Sequence, residues 1–462
     1  MTSQNYVFRE ENAMNSYIER VIGKVNQKYP YEPEFCQTVE EVLTSLDKVV
    51  ERHPEYEKVD LLGRMVEPER MFSFRVVWQD DKGFAHTQNG YRCQFNGAIG
   101  PYKGGIRFQK DVNPSIMKFL GFEQTFKNSL TGLSMGGAKG GADFDPTGKS
   151  DDEIMRFCQS FIQALYRYIG PDTDVPAGDM GVGGREIGYM FGEYRRLKGN
   201  FENGTFTGKG FSYGGSRIRP EATGYGSVYY LENVLKHDGE TLAGKTIACA
   251  GFGNVTWGIA RKATELGAKV ITLSGPDGYV YDPDGVNTPE KIDYLVEMRN
   301  SGRNRVQDYA DRFGVGFHAG EKPWGVKADI IMPSAMQNDV HMDSAEKIVA
   351  NKVRYYIEVA NMPTTNDALR FLMSQPDMIV APSKAVNAGG VATSGLEMSQ
   401  NSERLFWTEE EVDRQLRHIM DTIYENSVQA AERNGLGYNL VAGANIAGFE
   451  RVADAMMAQG LF

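Results

Sequence analysis

The sequence predicts an α/β protein built as two domains, and three observations carry that reading. From Lys245 onward, short apolar runs alternate with helical stretches, the pattern of buried parallel strands joined by crossover helices. The segment 199–215 holds Gly199, Gly204, Gly208, Gly210, Gly214 and Gly215, the composition of a linker or hinge. Before it, the chain has a hairpin pattern and helices of its own. At 462 residues there is material for two full cores.

The elements follow in chain order. In QTVEEVLTSLDKVVERHPEY, Val39, Val42, Leu43, Leu46, Val49 and Val50 recur at helical spacing and Pro54 comes after them. ERMFSFRVVWQDDKGFAHTQNGYRCQFNG alternates apolar and polar residues around an Asp-Lys-Gly turn, which predicts a hairpin. From Asn113 to Leu130 the period is helical again. RPEATGYGSVYYLENVL opens a helix with Pro220 near its start. KTIACAGFGN predicts a strand running into glycines, VTWGIARKATELG a helix, and AKVITLSG a second strand. ADIIMPSA, YYIEVAN and MIVAPS are three further short strands, and NLVAGANIAGFERVADAMMAQG closes the chain as a helix with an apolar face.

Composition excludes several classes. The chain is 41% hydrophobic and 24% charged, ordinary for a soluble globular protein. A net charge of −11 argues against a broad nucleic-acid surface. Cys36, Cys93, Cys158 and Cys249 lie far apart with no metal-ligand spacing, so reduced thiols in a cytoplasmic protein and no metal are expected. The N-terminus MTSQNYVFREENAMNS carries acids and no apolar core, so neither a signal nor a transit peptide is expected there. No stretch approaches the roughly 20 apolar residues of a membrane span.

Four motifs carry chemistry. The first is three lysines: Lys103 in GPYKGGIRF, Lys127 in FEQTFKNSL and Lys139 in MGGAKGGADF. Gly104-Gly105 and Gly140-Gly141 let the backbone come close to something. Lysines in such a setting suit an anion site or an amine of lowered pKa. For Lys127 a plain helix-surface ion pair with Glu123, four residues earlier, stays open.

The second motif is Gly251-Phe-Gly253-Asn-Val-Thr256, a GxG turn between a strand and a helix. Its glycines allow close approach to a pyrophosphate, and the helix N-terminus offers unpaired N–H groups. Thr256 stands where a third small residue is usual, which puts pyrophosphate packing in question. Asp277, just past the second strand, could accept bonds from the ribose hydroxyls or be a Pro-Asp-Gly turn residue. No Arg or Lys lies between Lys269 and Lys291 to receive a 2′-phosphate, which favours NAD while leaving NADP possible. The third motif is Asp179 in DVPAGDMGVGGREIGYM, either a turn or cap residue or, beside a lysine of lowered pKa, a proton shuttle. The fourth is the small-residue loop PSKAVNAGGVATS, suited to lining a cleft or simply to joining two elements.

With these residues in view, the chain resembles the hexameric bacterial glutamate dehydrogenases of the glutamate/leucine/phenylalanine/valine dehydrogenase family over nearly its whole length. NGAIGPYKGGIRF, GFEQTFKNSLTGLSMGGAKGGADFDP, DVPAGDMGVGGREIGYM, RPEATGYG, GFGNV and KAVNAGGVATSGLEMSQN carry the resemblance. It implies a substrate and assembly domain over 1–213, joined by a C-terminal helix 437–462. It also implies a Rossmann-type dinucleotide-binding domain over 214–436, with the active site in the cleft between. Lys103 is similar to the lysine that pairs with the substrate side-chain carboxylate, helped by Ser394. Gln124 and Lys127 correspond to the α-carboxylate site, and Gly178 contributes backbone. Lys139 resembles the catalytic lysine, with a pKa lowered by Lys127 and the closing cleft, and Asp179 the residue that moves a proton to and from the substrate amine. Thr223, Gly251, Gly253, Asn254, Val255 and Asp277 stand as cofactor positions.

The resemblance therefore implies reversible oxidative deamination of L-glutamate to 2-oxoglutarate and ammonium with NAD, in a cytoplasmic homohexamer. Two alternatives remain at this stage: a family member acting on an apolar amino acid, and a non-catalytic nucleotide-binding protein. Relatives acting on leucine, phenylalanine or valine carry apolar residues where Lys103 and Ser394 stand.

Overall fold

A computed structural model describes residues 14–461. The N-terminal stretch read for a targeting signal therefore falls almost wholly outside the described residues. Two sheets organise the rest.

The first sheet has five strands: β1 (Arg70–Gln79), β2 (Ala85–Asn96), β3 (Tyr102–Phe108), β4 (Gly137–Ala142) and β5 (Asp174–Gly178), in the order β1-β2-β4-β3-β5. β1 and β2 are the expected hairpin, with Gln79 opposite Ala85 and Gly83 at a φ of 87° in the turn. β4 runs antiparallel to β2 and parallel to β3, and β3 runs parallel to β5.

Helices cover both faces of this sheet. Asp151–Leu165 packs Phe157, Phe161 and Ile162 against Val76, Trp78, Ile106 and Phe108. On the other face lie Ser16–Lys28, Pro33–Thr44 and Pro114–Leu130, around Cys93 and Phe95. Helix Pro114–Leu130 starts where the sequence places it: Pro114 is its first residue, and the Asn113 side chain accepts the Ile116 N–H at 3.0 Å.

The second sheet has seven strands: β6 (Thr246–Cys249), β7 (Lys269–Gly275), β8 (Gly278–Tyr281), β9 (Gly316–Ala319), β10 (Ile330–Met332), β11 (Tyr355–Ile357) and β12 (Ile379–Ala381). Their order is β12-β11-β10-β6-β7-β8-β9. The five expected strands β6, β7, β10, β11 and β12 are parallel. β8 and β9 add an antiparallel edge that the strand–helix alternation does not anticipate, since Gly278–Tyr281 and Gly316–Ala319 each open on a glycine and neither is joined to its neighbour by a parallel crossover. Helix Asn254–Glu265 follows β6, and its Gly258 meets Gly224 of helix Ala222–His237. A Cβ on Gly258 would lie 2.6 Å from the Glu221 carbonyl, so glycine permits this helix contact.

The two parts of the chain are joined twice. Helix Leu440–Gln459 begins with Leu440 and Ala444 in the second core and ends with Phe449, Val452 and Met456 in the first. The second join is the 199–215 segment, the place expected for a linker or hinge, although its glycines do not leave it as open coil. It folds into two 3-10 turns, Asn203–Thr205 and Phe211–Tyr213, and buries Thr205, Phe206, Thr207 and Lys209. Its glycines serve local geometry instead. Gly208 and Gly214 take φ values of 83° and 107°, and a Cβ on Gly215 would lie 2.0 Å from the Lys209 carbonyl.

Candidate active site

Three adjacent parallel strands build the core of the site. β3 carries Lys103 and Arg107, β4 carries Lys139, and Asp179 follows β5 directly. Residues 103, 105 and 107 share one face of β3 by the period of two. Between the two cationic positions lies Gly105, where a Cβ would sit 2.9 Å from the Asp179 Cβ. Glycine there lets the Asp179 side chain lie across β3. On the other face of the strand, a Cβ on Gly104 would overlap the Ala138 carbonyl at 1.6 Å, so β3 and β4 approach this closely only as glycine-rich strands.

Asp179 joins two cations. Lys139 Nζ lies 3.1 Å from Oδ1, and Arg107 Nε donates to Oδ2 at 2.7 Å. Burial alone would raise the Asp179 carboxyl, but Lys139 and Arg107 more than offset it and hold it at about 2. The Lys139 pKa is lowered by burial first, against the pull of Asp179, with Arg107 and Arg92 adding to the lowering. Burial, rather than Lys127, leads the lowering of Lys139, and the two ammonium groups repel each other, which also lowers Lys127. Arg107 lies in the quoted motif GPYKGGIRF, yet nothing in its spacing from Asp179 signals the contact.

Lys103 is 1% exposed, and among the described residues its ammonium makes no hydrogen bond or ion pair. Burial pushes its pKa well down, and Arg92 and Arg219 push it further, opposed by Glu397 and Asp174. Arg92 is itself buried in a bidentate pair with Asp174 and donates to the Gly104 carbonyl at 3.0 Å, just behind Lys103. Lys127 also has no partner: the ion pair with Glu123 that helix spacing allowed does not form. Its pKa falls to about 8, through burial first and then Lys139. Gln124, one turn before it, donates to Asn128 at 2.6 Å, and Asn128 donates to the Lys103 carbonyl at 3.0 Å. Helix Pro114–Leu130 is thereby tied to β3 at the Lys103 position. Gly178 ends β5, and its Cβ position lies 2.6 Å from the Val182 carbonyl in the turn that carries Asp179.

Ser394 lies buried in helix Gly389–Glu403, accepting from Arg219 Nε at 3.0 Å and donating to the Gly390 carbonyl at 3.1 Å. Thr223 faces the same turn, its Oγ1 lying 2.5 Å from a Cβ built on Gly390. Arg219 is a residue that motif reading passed over. It touches Ser394, and its charge reaches both Lys103 and Lys127.

The glycine turn expected to hold a nucleotide follows β6. Gly251 takes a φ of 81° and Gly253 is the N-cap of helix Asn254–Glu265, which no side chain caps. Gly253 and Asn254 are exposed, Val255 is half-buried, and a Cβ on Gly253 would meet nothing within 4 Å. The turn thus offers unpaired N–H groups in open space. Thr256 does not crowd that space, contrary to expectation. It is buried and turned back, with Oγ1 donating to the Ala250 carbonyl at 2.9 Å.

Asp277 stands in the turn after β7. Its two carboxylate oxygens accept the Val306 and Gln307 N–H groups, each at 3.0 Å, at the start of helix Gln307–Phe313. Lys291 is tied to Asp282 at 2.7 Å. The fold also brings Arg303 and Arg305 near Asp277, where both pair with Asp308. A search along the local sequence could not find these two.

Residues 214–460 match the Glutamate/Leucine/Phenylalanine/Valine dehydrogenase family, and residues 68–196 match the Glu/Leu/Phe/Val dehydrogenase dimerisation domain. The chain belongs to the glutamate/leucine/phenylalanine/valine dehydrogenase family. It is similar to a Clostridium symbiosum protein named NAD-specific glutamate dehydrogenase, at 70% identity over 97% of this chain and all of that one. It is also similar to a Haemophilus influenzae NADP-specific glutamate dehydrogenase, at 52% identity over 96% of this chain and 99% of that one. A solved glutamate dehydrogenase structure superposes with a TM-score of 0.96 at 70% identity, covering 96% of this chain and 99% of that one. The α/β fold of two sheets is thus a family fold, and the glycine-rich strands β3 and β4 belong to its dimerisation-domain match.

Proposed function

We propose that this family member is an NAD-dependent glutamate dehydrogenase, converting L-glutamate reversibly to 2-oxoglutarate and ammonium. The observation that carries the reading is a pair of buried or half-buried lysines, Lys103 and Lys127, without anionic partners, beside a Lys139–Asp179 pair. A buried ammonium without a counterion is costly, and a ligand carboxylate relieves that cost. Two such cations match a substrate with a carboxylate at each end. An apolar amino acid would leave Lys103 unpaired in its pocket, which disfavours the first alternative.

In this reading Lys127, with Gln124, holds the α-carboxylate, and Lys103, with Ser394 and Arg219, holds the side-chain carboxylate. Gly178 offers backbone beside the reacting carbon. The two anchors fix the Cα and its hydrogen in one orientation. The turn Gly251–Val255 would hold the pyrophosphate of NAD, with Thr223 on the neighbouring helix. The orphaned Asn387 Oδ1, buried and without a partner, is a further acceptor for the cofactor. When bound, NAD would supply the acceptor for the hydride that leaves the substrate Cα. Lys139, its pKa lowered, assists water addition to the resulting imino acid. Asp179 is ionised while it bridges Lys139 and Arg107, so it takes a proton from the substrate amine once either cation turns to the substrate.

The assembly reading is a homohexamer in the cytoplasm. β1 is an edge strand of ten residues with Val77 46% exposed, a face suited to pairing with a second copy. No helix among the described residues is long and apolar enough to cross a membrane.

The mechanism is tested with Lys139→Ala and Asp179→Ser. Both variants should lose turnover by about a thousandfold or more while NADH binding, followed by its fluorescence, persists. Near wild-type turnover of either variant would remove the corresponding residue from the mechanism.

A further inference from the structure

Helix Gly389–Glu403 presents Ser394, Glu397 and Asn401 at spacings of three and four, on one face. That face lies against residues 206–219. The Glu397 and Lys209 side chains are both 0% exposed, with Nζ 2.8 Å from Oε1. Glu397 also accepts the Gly208 N–H at 2.9 Å. The Lys209 ammonium donates to Glu397, to Asn401 Oδ1 at 2.9 Å and to the Phe206 carbonyl, which occupies all three of its protons. Asn401 in turn donates to the Gly214 carbonyl at 2.7 Å.

The other side of this segment holds the first sheet. Thr207 donates its N–H to the Pro176 carbonyl of β5 at 3.0 Å, and Pro176 stands level with Gly104, next to Lys103. A continuous set of contacts therefore runs from the Lys103 strand, through β5 and the 206–209 segment, to Glu397, one turn beyond Ser394.

We propose that the buried Lys209–Glu397 pair is a positioning latch that sets the spacing between Lys103 and Ser394, and so the selectivity of the site for a substrate ending in a carboxylate. Packing alone does not call for charge here, since apolar side chains of similar volume fill such space at no greater cost. The charged pair adds one defined register between two elements from different sheets. Lys209 has no free donor and touches no substrate; it acts through the placement of Ser394. Glu397 adds a field: with Asp174 it opposes the two arginines around Lys103, and it also acts on Arg219.

The inference rests on the reading of Lys103 and Ser394 as the side-chain carboxylate site, and the experiment separates the two. KM and kcat are measured for L-glutamate and for norvaline, which has the same carbon chain without the second carboxylate. The proteins are wild type, Glu397→Gln, Lys209→Met, the Lys209→Met/Glu397→Gln double variant, Lys209→Arg and Lys103→Leu. The first two variants should raise KM for glutamate about tenfold while kcat and the norvaline constants change less than about threefold. The double variant, which leaves no unpaired buried charge, should keep the defect, and Lys209→Arg should recover part of it. Equal losses on both substrates, or a double variant with wild-type KM, would make the pair a fold contact only and overturn the latch. If Lys103→Leu removes glutamate preference while Glu397→Gln does not, the latch alone is wrong. If Lys103→Leu keeps the preference, the carboxylate site is misplaced and the latch falls with it.

Discussion

A lysine held in a poorly solvated site with no counterion loses its proton more readily than in water, and a bound anion reverses the shift. Lys127 is in that position, with its pKa brought down to about 8. Between about pH 8 and the ordinary 10.5 the unfolded chain holds a proton on this group that the folded chain has released. The Lys127 contribution to stability therefore rises with pH across that window. Binding of a diacid restores the proton. Glutarate, which has two carboxylates and no amine, should take up about one proton or more per site on binding at pH 9. Calorimetry in two buffers of different ionisation enthalpy reads this directly. Heats that do not depend on the buffer would show that the lysines are already charged in the free protein. At this scale the motif residues were legible because lysine beside Gly-Gly is rare in a solvated surface. Arg107 and Arg219 were not, since each acts through a contact made across the fold, to Asp179 and Ser394. The Lys139–Asp179 contact joins residues forty positions apart that only the β3–β4–β5 pairing brings together.

At the scale of elements, β3 and β4 decide whether the site exists. GAKGGA holds no β-branched or aromatic residue, and in YKGGIRF the Lys-Gly-Gly run separates Tyr102 from Ile106 and Phe108, so propensity hides both strands. The reason lies in spacing: the Gly104 Cβ position is 1.6 Å from the Ala138 carbonyl. Gly104→Ala should force the two strands apart. A loss of about 1–3 kcal/mol follows from overpacking, with a larger loss of activity because Lys103 and Lys139 separate. A melting temperature within about 1 °C of wild type and unchanged kcat would contradict this account of the strands. The hairpin β1–β2 and helix Pro114–Leu130 are readable from period and caps, and the five parallel strands from short apolar runs that alternate with helices. The 199–215 segment stands between the two matched domains, as a linker or hinge does. Glycine composition there reflects left-handed backbone and close chain crossings rather than freedom of motion.

At the scale of the whole molecule, the account turns on two sheets facing one site. The first supplies the cations and the Lys139–Asp179 pair, the second the nucleotide turn, and helix Gly389–Glu403 brings Ser394 from the second part of the chain toward Arg219. The family match spans both parts, and in the proposed reading the polar side chains at positions 103 and 394 select a diacid over the apolar amino acids also named for the family. Cofactor choice is less sharply written. Asp277 is occupied as a helix cap, and Arg303 and Arg305 stand nearby, each paired with Asp308. The direct measurement is NADH absorbance of the wild-type protein with L-glutamate, norvaline, leucine and aspartate in parallel, repeated with NADP and with Lys103→Leu. L-Glutamate with NAD should give the fastest rate, and Lys103→Leu should lose glutamate activity far more than norvaline activity. Leucine or norvaline rates equal to that with glutamate in the wild type, or equal losses on both substrates in Lys103→Leu, would contradict the two-carboxylate site.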